Sequence, residues 1–255
     1  MKTILKFIIT LIFALFLDFT SAIADEAAHQ YNYPDLLGDE MSFDGKSHAS
    51  FEVSDPLEPM NRVFFEFNDW FHDWLLKPIT NVYIWVIPGE LRKCFGNFFN
   101  NLGMPIRFIN TALQGEFRDS GVEFGRFLIN STLGVYGLVD VAALHWGIEP
   151  RRADFGQTLG RWGIGNGIYL CWPFIGPSNV RDTVGFVVDM YSHPVPYLHD
   201  NTILDVSYLA ARRVNAFSLN PDLYEELRDF ALDPYIASRQ AYYEYRRNFI
   251  DQRNN

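Results

Sequence analysis

The chain has 255 residues, of which 48% are hydrophobic and 20% are charged. This length and apolar content suit one large domain or two small ones with a substantial core, and they exclude a disordered or collagen-like protein. The 31 acidic residues outnumber the 21 Lys and Arg residues, and the net charge of −10 argues against nucleic-acid binding. Aromatic residues make up 16% of the chain, which suits a large core or contact with a membrane interface. The two cysteines, Cys94 and Cys171, allow at most one disulfide bridge.

The first residues have the pattern of a secretory signal peptide. Two lysines precede an apolar run at residues 7–17, and Ala22-Ile23-Ala24 provides a small-x-small cleavage motif. The run is well short of the roughly 20 residues that a membrane-spanning helix needs. We therefore expect a cleaved signal peptide at residues 1–24, a flexible polar leader at 25–54 and a folded domain at 55–255.

The folded domain is predicted to open with an amphipathic helix. Asp55-Pro56-Leu57-Glu58 has the spacing of a helix capping box. Spacings of three and four then separate the apolar residues Leu57, Met60, Phe64, Phe67, Phe71 and Trp74. This periodicity predicts a helix with an aromatic stripe, which Leu76-Lys77-Pro78 ends. Asp69, His72 and Asp73 are interpreted as part of its solvated side and not as a metal site.

Apolar periodicity also predicts the later elements. The expected helices lie at residues 91–113 with a kink or restart at Pro105, at 117–133, at 137–146, from a Ser178 cap to Pro194, at 205–218, and at 222–250 with a break at Asp233-Pro234. Gly121 and Gly125 have the spacing of close helix packing, either in a membrane or in a soluble core. Residues 154–178 are rich in glycine and are predicted to form a loop or short hairpin, because glycine disfavours helix interiors. The predicted fold class is mostly α.

The sequence offers neither a second membrane span nor a catalytic motif. Its most apolar later stretch, residues 82–87, is short, so entry into a membrane would need amphipathic helices. Asp154-Phe155-Gly156 lacks the other kinase motifs, and Gly163, Gly165 and Gly167 miss the dinucleotide-binding spacing. Ser178 lacks the glycine that a hydrolase elbow requires. We expect no enzymatic activity, no metal and no cofactor.

Several motifs resemble those of the MlaA/VacJ family in colinear order across residues 55–250. They are Asp55-Pro56-Leu57-Glu58-Pro59-Met60-Asn61-Arg62, Leu76-Lys77-Pro78, Leu113-Gln114-Gly115, Arg126-Phe127-Leu128-Ile129-Asn130-Ser131-Thr132-Leu133-Gly134, Asp154-Phe155-Gly156-Gln157-Thr158-Leu159-Gly160, Gly176-Pro177-Ser178 and Asp233-Pro234-Tyr235. The resemblance implies a ring-shaped, mostly helical domain of amphipathic helices embedded in one leaflet of the Gram-negative outer membrane, on its periplasmic side.

The resemblance also implies a function and partners. Such proteins remove mislocalised phospholipid from the outer leaflet through an amphipathic channel and so maintain lipid asymmetry. The implied partners are phospholipid, an outer-membrane porin trimer, and a soluble periplasmic lipid carrier that feeds an inner-membrane ABC transporter. Two alternatives are a structural or interaction protein of the envelope that keeps the fold without transport, and a periplasmic carrier with a closed lipid cavity.

A phospholipid channel needs a polar wall for the head group and apolar contacts for the acyl chains. The candidate residues of this path are Asn61, Phe64, Phe67, Asn68, Asn101, Arg126, Asn130, Gln157 and Arg181. A helix cap or a buried hydrogen bond is the alternative role of each polar member. Gly163, Gly165 and Gly167 are the candidate gate, which is either mobile or a rigid plug.

The sequence departs from the family pattern in one respect. Many members are lipoproteins with an acylated cysteine after the signal peptide, whereas Asp25-Glu26 follow the predicted cleavage site here. We therefore expect the folded body or a porin partner to hold this chain in the membrane without a lipid anchor.

Overall fold

The computed structural model describes residues 54–198, 200–229 and 231–251. The predicted signal peptide and nearly all of the predicted leader lie outside these residues, and the domain boundaries stay predictions. Among the described residues, no helix combines the length and the hydropathy needed to cross a membrane.

Helices dominate the described residues, and one β-hairpin interrupts them. The elements are α1 (Glu58–Phe71), a π-helical turn (His72–Leu76), α2 (Lys77–Val86), α3 (Gly89–Leu102), α4 (Met104–Leu113), α5 (Phe117–Thr132), α6 (Val141–Trp146), α7 (Phe155–Arg161), β1 (Tyr169–Trp172), β2 (Gly176–Asn179), α8 (Val180–Ser192), a 3₁₀ turn (Val195–Tyr197), α9 (Thr202–Leu219), α10 (Leu223–Asp229) and α11 (Pro234–Asp251). The predicted mostly α class, the restart near Pro105 and the break at Asp233-Pro234 are confirmed.

The start of α1 differs from the predicted capping box. Leu57 occupies the N-cap position, and no side chain caps the helix. Asp55 instead turns inward, where its carboxylate accepts hydrogen bonds from Asn61 at 2.8 Å, Arg239 at 3.1 Å and the Tyr235 hydroxyl. These donors outcompete the helix end for the carboxylate, so Asp55 ties α1 to α11.

The predicted helix end at Leu76-Lys77-Pro78 is wrong. The helical path continues to Val86 because a π-helical turn precedes the proline, with the Lys77 amide bonded to the His72 carbonyl five residues back. Proline cannot donate to a carbonyl four residues back and its ring clashes there, and the wider turn accommodates both constraints. His72 is buried against Phe217 and Tyr224, so its assignment to a solvated side is also wrong.

The glycine-rich segment contains a helix that the sequence interpretation missed. Asp154 caps α7 by accepting from the Gln157 amide at 2.7 Å, which outweighs the low helix propensity of two glycines. The predicted hairpin follows as the antiparallel pair β1–β2, with Cys171 opposite Pro177. Asn179, not Ser178, caps α8 by accepting from the Asp182 amide at 2.8 Å. Ser178 lies in β2.

One further helix boundary and one expected helix contact differ from the predictions. Residues 133–139 form turns, so the helix expected at 137–146 begins only at Val141, where Asp140 caps it. A Cβ on Gly121 or Gly125 would meet no described atom within 4 Å, so this pair makes no close helix contact in the described residues.

The core lies where the hairpin meets α11. Tyr169, Cys171, Tyr235 and Tyr242 are buried together, and α1 packs against them. Cys94 and Cys171 are free cysteines, and burial raises the pKa of the Cys171 thiol to about 12.

Candidate functional site

A cavity of about 310 Å³ opens between the helices and the hairpin. The elements that line it are α3, α4, α7, both strands, α8, α9 and α11. This volume lies at the lower end of the range for small-molecule sites. It is therefore the candidate functional site.

One part of the cavity wall is apolar. The side chains concerned are Phe99, Ile106, Trp172, Ile175, Phe186 and Leu219. They come from four helices and from the hairpin, so several elements contribute apolar contacts to the cavity.

The remainder of the wall is strongly charged. The charged side chains are Arg107, Arg152, Arg212, Arg246, Asp154, Asp182 and Asp189. Sequence reasoning missed all of them as site residues. One sequence signal could have identified Arg107, because it is the one charged residue of the short helix α4. The wall is amphipathic, as a path for molecules with polar heads and apolar tails requires.

A buried ionic network forms one corner of this wall. Both terminal nitrogens of Arg246 on α11 donate to the Asp154 carboxylate, one of them to Oδ1 at 2.9 Å. The Arg246 Nε lies 2.8 Å from the Asp182 carboxylate. Arg181 also donates to Asp182 at 2.8 Å. Burial alone would raise the pKa of Asp182, but the two arginines outweigh it and hold that pKa at about 2. Asp182 therefore keeps its charge at any ordinary pH, and the network fixes α11 against α7 and α8.

Two predicted asparagines contact the hairpin and do not themselves line the cavity. Asn61 donates to the Tyr169 carbonyl at 3.2 Å and accepts from the Cys171 amide at 2.8 Å. Asn68, two helical turns later, donates to the Trp172 carbonyl at 2.9 Å and accepts from the Phe174 amide. Both asparagines hold the outer edge of β1, whose neighbouring residues Trp172 and Ile175 line the cavity.

The predicted aromatic residues support the same hairpin. Phe67 packs edge-on against Phe174 at the hairpin turn, with ring centroids 4.9 Å apart, and Phe64 packs against the core around Tyr169. Phe174 has a φ of +68°, which is unfavourable for a bulky residue. The ring contacts and Asn68 compensate for that strain.

Three other predicted residues meet at a second, small cleft of about 20 Å³, lined by Asn101, Arg126 and Asn130 among others. Arg126 and Asn130 both bind Asp140, at 2.6 and 2.9 Å, and Asn101 donates to Ser131 at 2.9 Å. Asn100 and Arg107 line both this cleft and the large cavity, so the two spaces adjoin.

The remaining predicted residues lie near α7. Gln157 lines the large cavity, whereas Arg181 supports the glycine loop by donating to the Ile164 carbonyl at 3.4 Å. Gly167 in that loop has a φ of +70°, and a Cβ there would lie 2.9 Å from Val180. Gly163 and Gly165 have open space around them. Lipid contact by the predicted path residues and gating by these glycines stay predictions.

The outer surface carries many large apolar side chains. Trp85 is 86% exposed, and others that are at least half exposed include Trp70, Trp74, Val82, Phe117, Leu144 and Leu198. Exposed apolar side chains in such number are typical of a surface that contacts protein partners or a membrane.

Comparison with known proteins agrees with this architecture. The family model described as "MlaA lipoprotein" matches residues 53–249. The intermembrane phospholipid transport system lipoprotein MlaA of Escherichia coli K12 is 33% identical over 202 residues, covering 77% of this chain and 78% of that protein. An uncharacterized protein of Rickettsia conorii is 33% identical over 196 residues, covering 76% and 77% of the two chains.

A solved structure supports the same assignment at the level of the fold. It was described as the structural basis for maintenance of bacterial outer membrane lipid asymmetry. It is 30% identical, has a TM-score of 0.65, and covers 78% of this chain and 100% of that one. The chain belongs to the MlaA family.

Proposed function

We propose that this protein is the outer-membrane component of an intermembrane phospholipid transport system. In this role it removes mislocalised phospholipid from the outer leaflet and so maintains lipid asymmetry. The observation that carries the proposal is an amphipathic cavity inside a body with large apolar side chains on its surface. The transport role printed for the relatives and the lipid asymmetry named for the solved structure point the same way.

The cavity chemistry suits a phospholipid head group. A phosphate diester favours charge-assisted hydrogen bonds from guanidinium groups, and Arg107, Arg152 and Arg212 supply such groups at the wall. Gln157 adds a neutral amide beside them. Acyl chains need apolar contact, for which Phe99, Phe186 and Leu219 are available. Passage changes no covalent bond, so the proposal includes no enzymatic activity.

The proposed setting follows from the family. The body sits on the periplasmic side of the outer membrane beside a porin trimer, and it passes lipid to a soluble periplasmic carrier that feeds an inner-membrane ABC transporter. The exposed tryptophans Trp70, Trp74 and Trp85 support this setting, because indole rings favour the membrane interface.

The phospholipid content of the outer leaflet tests the proposal. We expect a strain without this gene to accumulate surface phospholipid, and we expect restoration of the gene to reverse the change. Unchanged surface phospholipid, with the protein located in the outer membrane, would favour a structural role in the envelope. A protein that stays soluble after cell breakage would favour a periplasmic carrier.

A further inference from the structure

The turn of residues 133–139, between α5 and α6, presents apolar side chains outward. Leu133, Val135 and Tyr136 are 63%, 57% and 78% exposed. Nothing in the cavity or the core depends on these three side chains. Their exposed apolar surface is therefore available to contact another molecule or a membrane.

Two of these exposed residues have a strained backbone conformation. Val135 and Tyr136 have φ angles of +52° and +58°, a conformation suited to glycine, asparagine or aspartate and unfavourable for a β-branched residue. A water-facing turn would gain stability from those residues. Valine and tyrosine add exposed apolar surface in their place, which suits a turn that does not face water.

The sequence on either side of the turn carries almost no charge. Between residues 127 and 148 the sequence has one Lys, Arg, Asp or Glu, namely Asp140, and Arg126 binds it at 2.6 Å. A docking surface for a soluble protein normally has a polar and charged periphery. This stretch lacks one, so its chemistry fits lipid chains better than a protein surface.

Several backbone amides of the turn donate within the chain. The Tyr136, Gly137 and Val139 amides donate to the Ser131, Asn130 and Gly134 carbonyls at 3.1, 2.8 and 2.9 Å. The exposed Thr132 hydroxyl donates to the Leu128 carbonyl at 2.6 Å. A turn in water can leave such groups to the solvent, whereas a turn in hydrocarbon cannot.

We propose that the turn of residues 133–139 inserts into the acyl-chain layer of the membrane. The inference rests on the membrane location in the proposed function and names the element that enters the hydrocarbon. Asp140 follows the inserted segment directly, and its ion pair with Arg126 neutralises its charge.

A nitroxide spin label tests the depth of the turn. The label is placed at Tyr136→Cys, with Gln240→Cys on α11 as the control, in full-length protein carrying Cys94→Ser. Burial and its raised thiol pKa keep Cys171 unlabelled. In vesicles of phosphatidylethanolamine and phosphatidylglycerol, we expect the label at residue 136 to collide with oxygen more than with a water-soluble nickel chelate. The label at residue 240 should show the reverse.

The possible outcomes separate the two proposals. Membrane-bound protein whose label at residue 136 favours the nickel chelate would overturn the insertion and leave the transport role standing. Protein that does not bind vesicles at all would count against both. Hydrocarbon exposure at residue 136 and water exposure at residue 240 would support the insertion.

A charge substitution provides a second test that a folding defect cannot mimic. Aspartate tolerates the left-handed conformation better than tyrosine, so Tyr136→Asp should leave the unfolding midpoint in detergent unchanged or raise it by about 2–4 °C. The same substitution should lower the membrane-bound fraction severalfold, because a carboxylate resists transfer into hydrocarbon. Gln240→Asp should change neither quantity. Unchanged membrane binding of the Tyr136 variant would overturn the proposal.

Discussion

Asn61 and Asn68 act on the hairpin as a neighbouring strand would. Each carboxamide donates to the carbonyl of one β1 residue and accepts from the amide two residues further along. A paired strand offers the same combination through its peptide groups. The helix α1 thereby satisfies the free edge of β1 without a third strand.

Truncation of Asn61 should therefore destabilise the fold. Asn61→Ala leaves the buried Tyr169 carbonyl and Cys171 amide without this partner, and we expect a loss of about 1–3 kcal/mol in the free energy of unfolding. Denaturant titration in detergent measures the loss. Asn248→Ala, at an exposed position of α11, should stay within about 0.5 kcal/mol of the unmodified protein. Equal stability of the two variants would contradict the strand-like role.

Asp182 predicts how the protein responds to acid. The pKa of Asp182 in the folded protein is about 2, below the ordinary carboxyl value. Its ion pairs therefore stabilise the fold at a pH above that ordinary value, and this stabilisation is lost as the pH falls towards 2. Between about pH 4 and about pH 2, the unmodified protein should lose about 2 kcal/mol more than Asp182→Asn. Denaturant titrations across this range provide the comparison. Parallel losses in both proteins would show that Asp182 contributes no pH dependence.

The roles of single residues were only partly predictable. Asn61 and Asn68 are candidate residues of the lipid path on the sequence alone, but their partner strand lies more than 100 residues away. No local spacing can reveal such a contact. Asp55 shows the same limit, since its capping-box pattern is local whereas its partners Tyr235 and Arg239 come from the last helix.

At the scale of elements, α7 and α8 touch through their backbones. A Cβ on Gly185 would lie 2.2 Å from the Gly156 amide nitrogen, closer than real Cβ atoms approach. Both helices supply polar residues to the cavity wall, namely Gln157 and Asp182. The close contact thus fixes two parts of the wall relative to one another.

A methyl group at this contact should be strongly destabilising. We expect Gly185→Ala to lower the free energy of unfolding by at least about 2 kcal/mol, because backbone must move to admit the new Cβ. Gly121→Ala on α5 is the matched control. It meets no described atom within 4 Å and should stabilise its helix by about 0.5–1 kcal/mol. Thermal unfolding of the two variants should therefore shift in opposite directions.

Element types were more predictable than element boundaries. Apolar periodicity predicts most of the helices because their buried faces repeat along the chain. It failed at α7, where a cap and a close contact favour a glycine-containing helix, and at Pro78, where a π-helical turn admits proline. In both cases tertiary packing overrides local propensity.

At the scale of the whole molecule, the cavity unites residues from most of the described chain. Phe99 and Arg246 both line it although 147 residues separate them in sequence. The family resemblance implied an amphipathic path, and the candidate residues left out the arginines and aspartates of its wall. Those side chains meet because α4, α8, α9 and α11 surround one space, and sequence spacing does not encode that arrangement.

Obstruction of this cavity should abolish transport without loss of the fold. Ala216 on α9 lines the cavity, and Ala216→Phe should fill part of the 310 Å³ and leave surface phospholipid as high as in a strain without the gene. Ala211→Phe lies on an exposed face of the same helix and should restore normal levels. Equal protein amounts in the outer membrane must accompany the comparison. Full function of the Ala216 variant would place the lipid path elsewhere.

The π-helical turn also sets the phase of the helix that follows it. An α-helix turns by about 100° per residue, so deletion of one residue within His72–Leu76 would restore regular geometry and rotate α2 by about that angle. Thr80 would leave its buried position, and Tyr83 would lose its 2.8 Å hydrogen bond to Asn215 on α9. The length of this short segment is therefore fixed more tightly than its composition. Homologous chains that keep the contact between α2 and α9 should tolerate substitutions here far better than insertions or deletions.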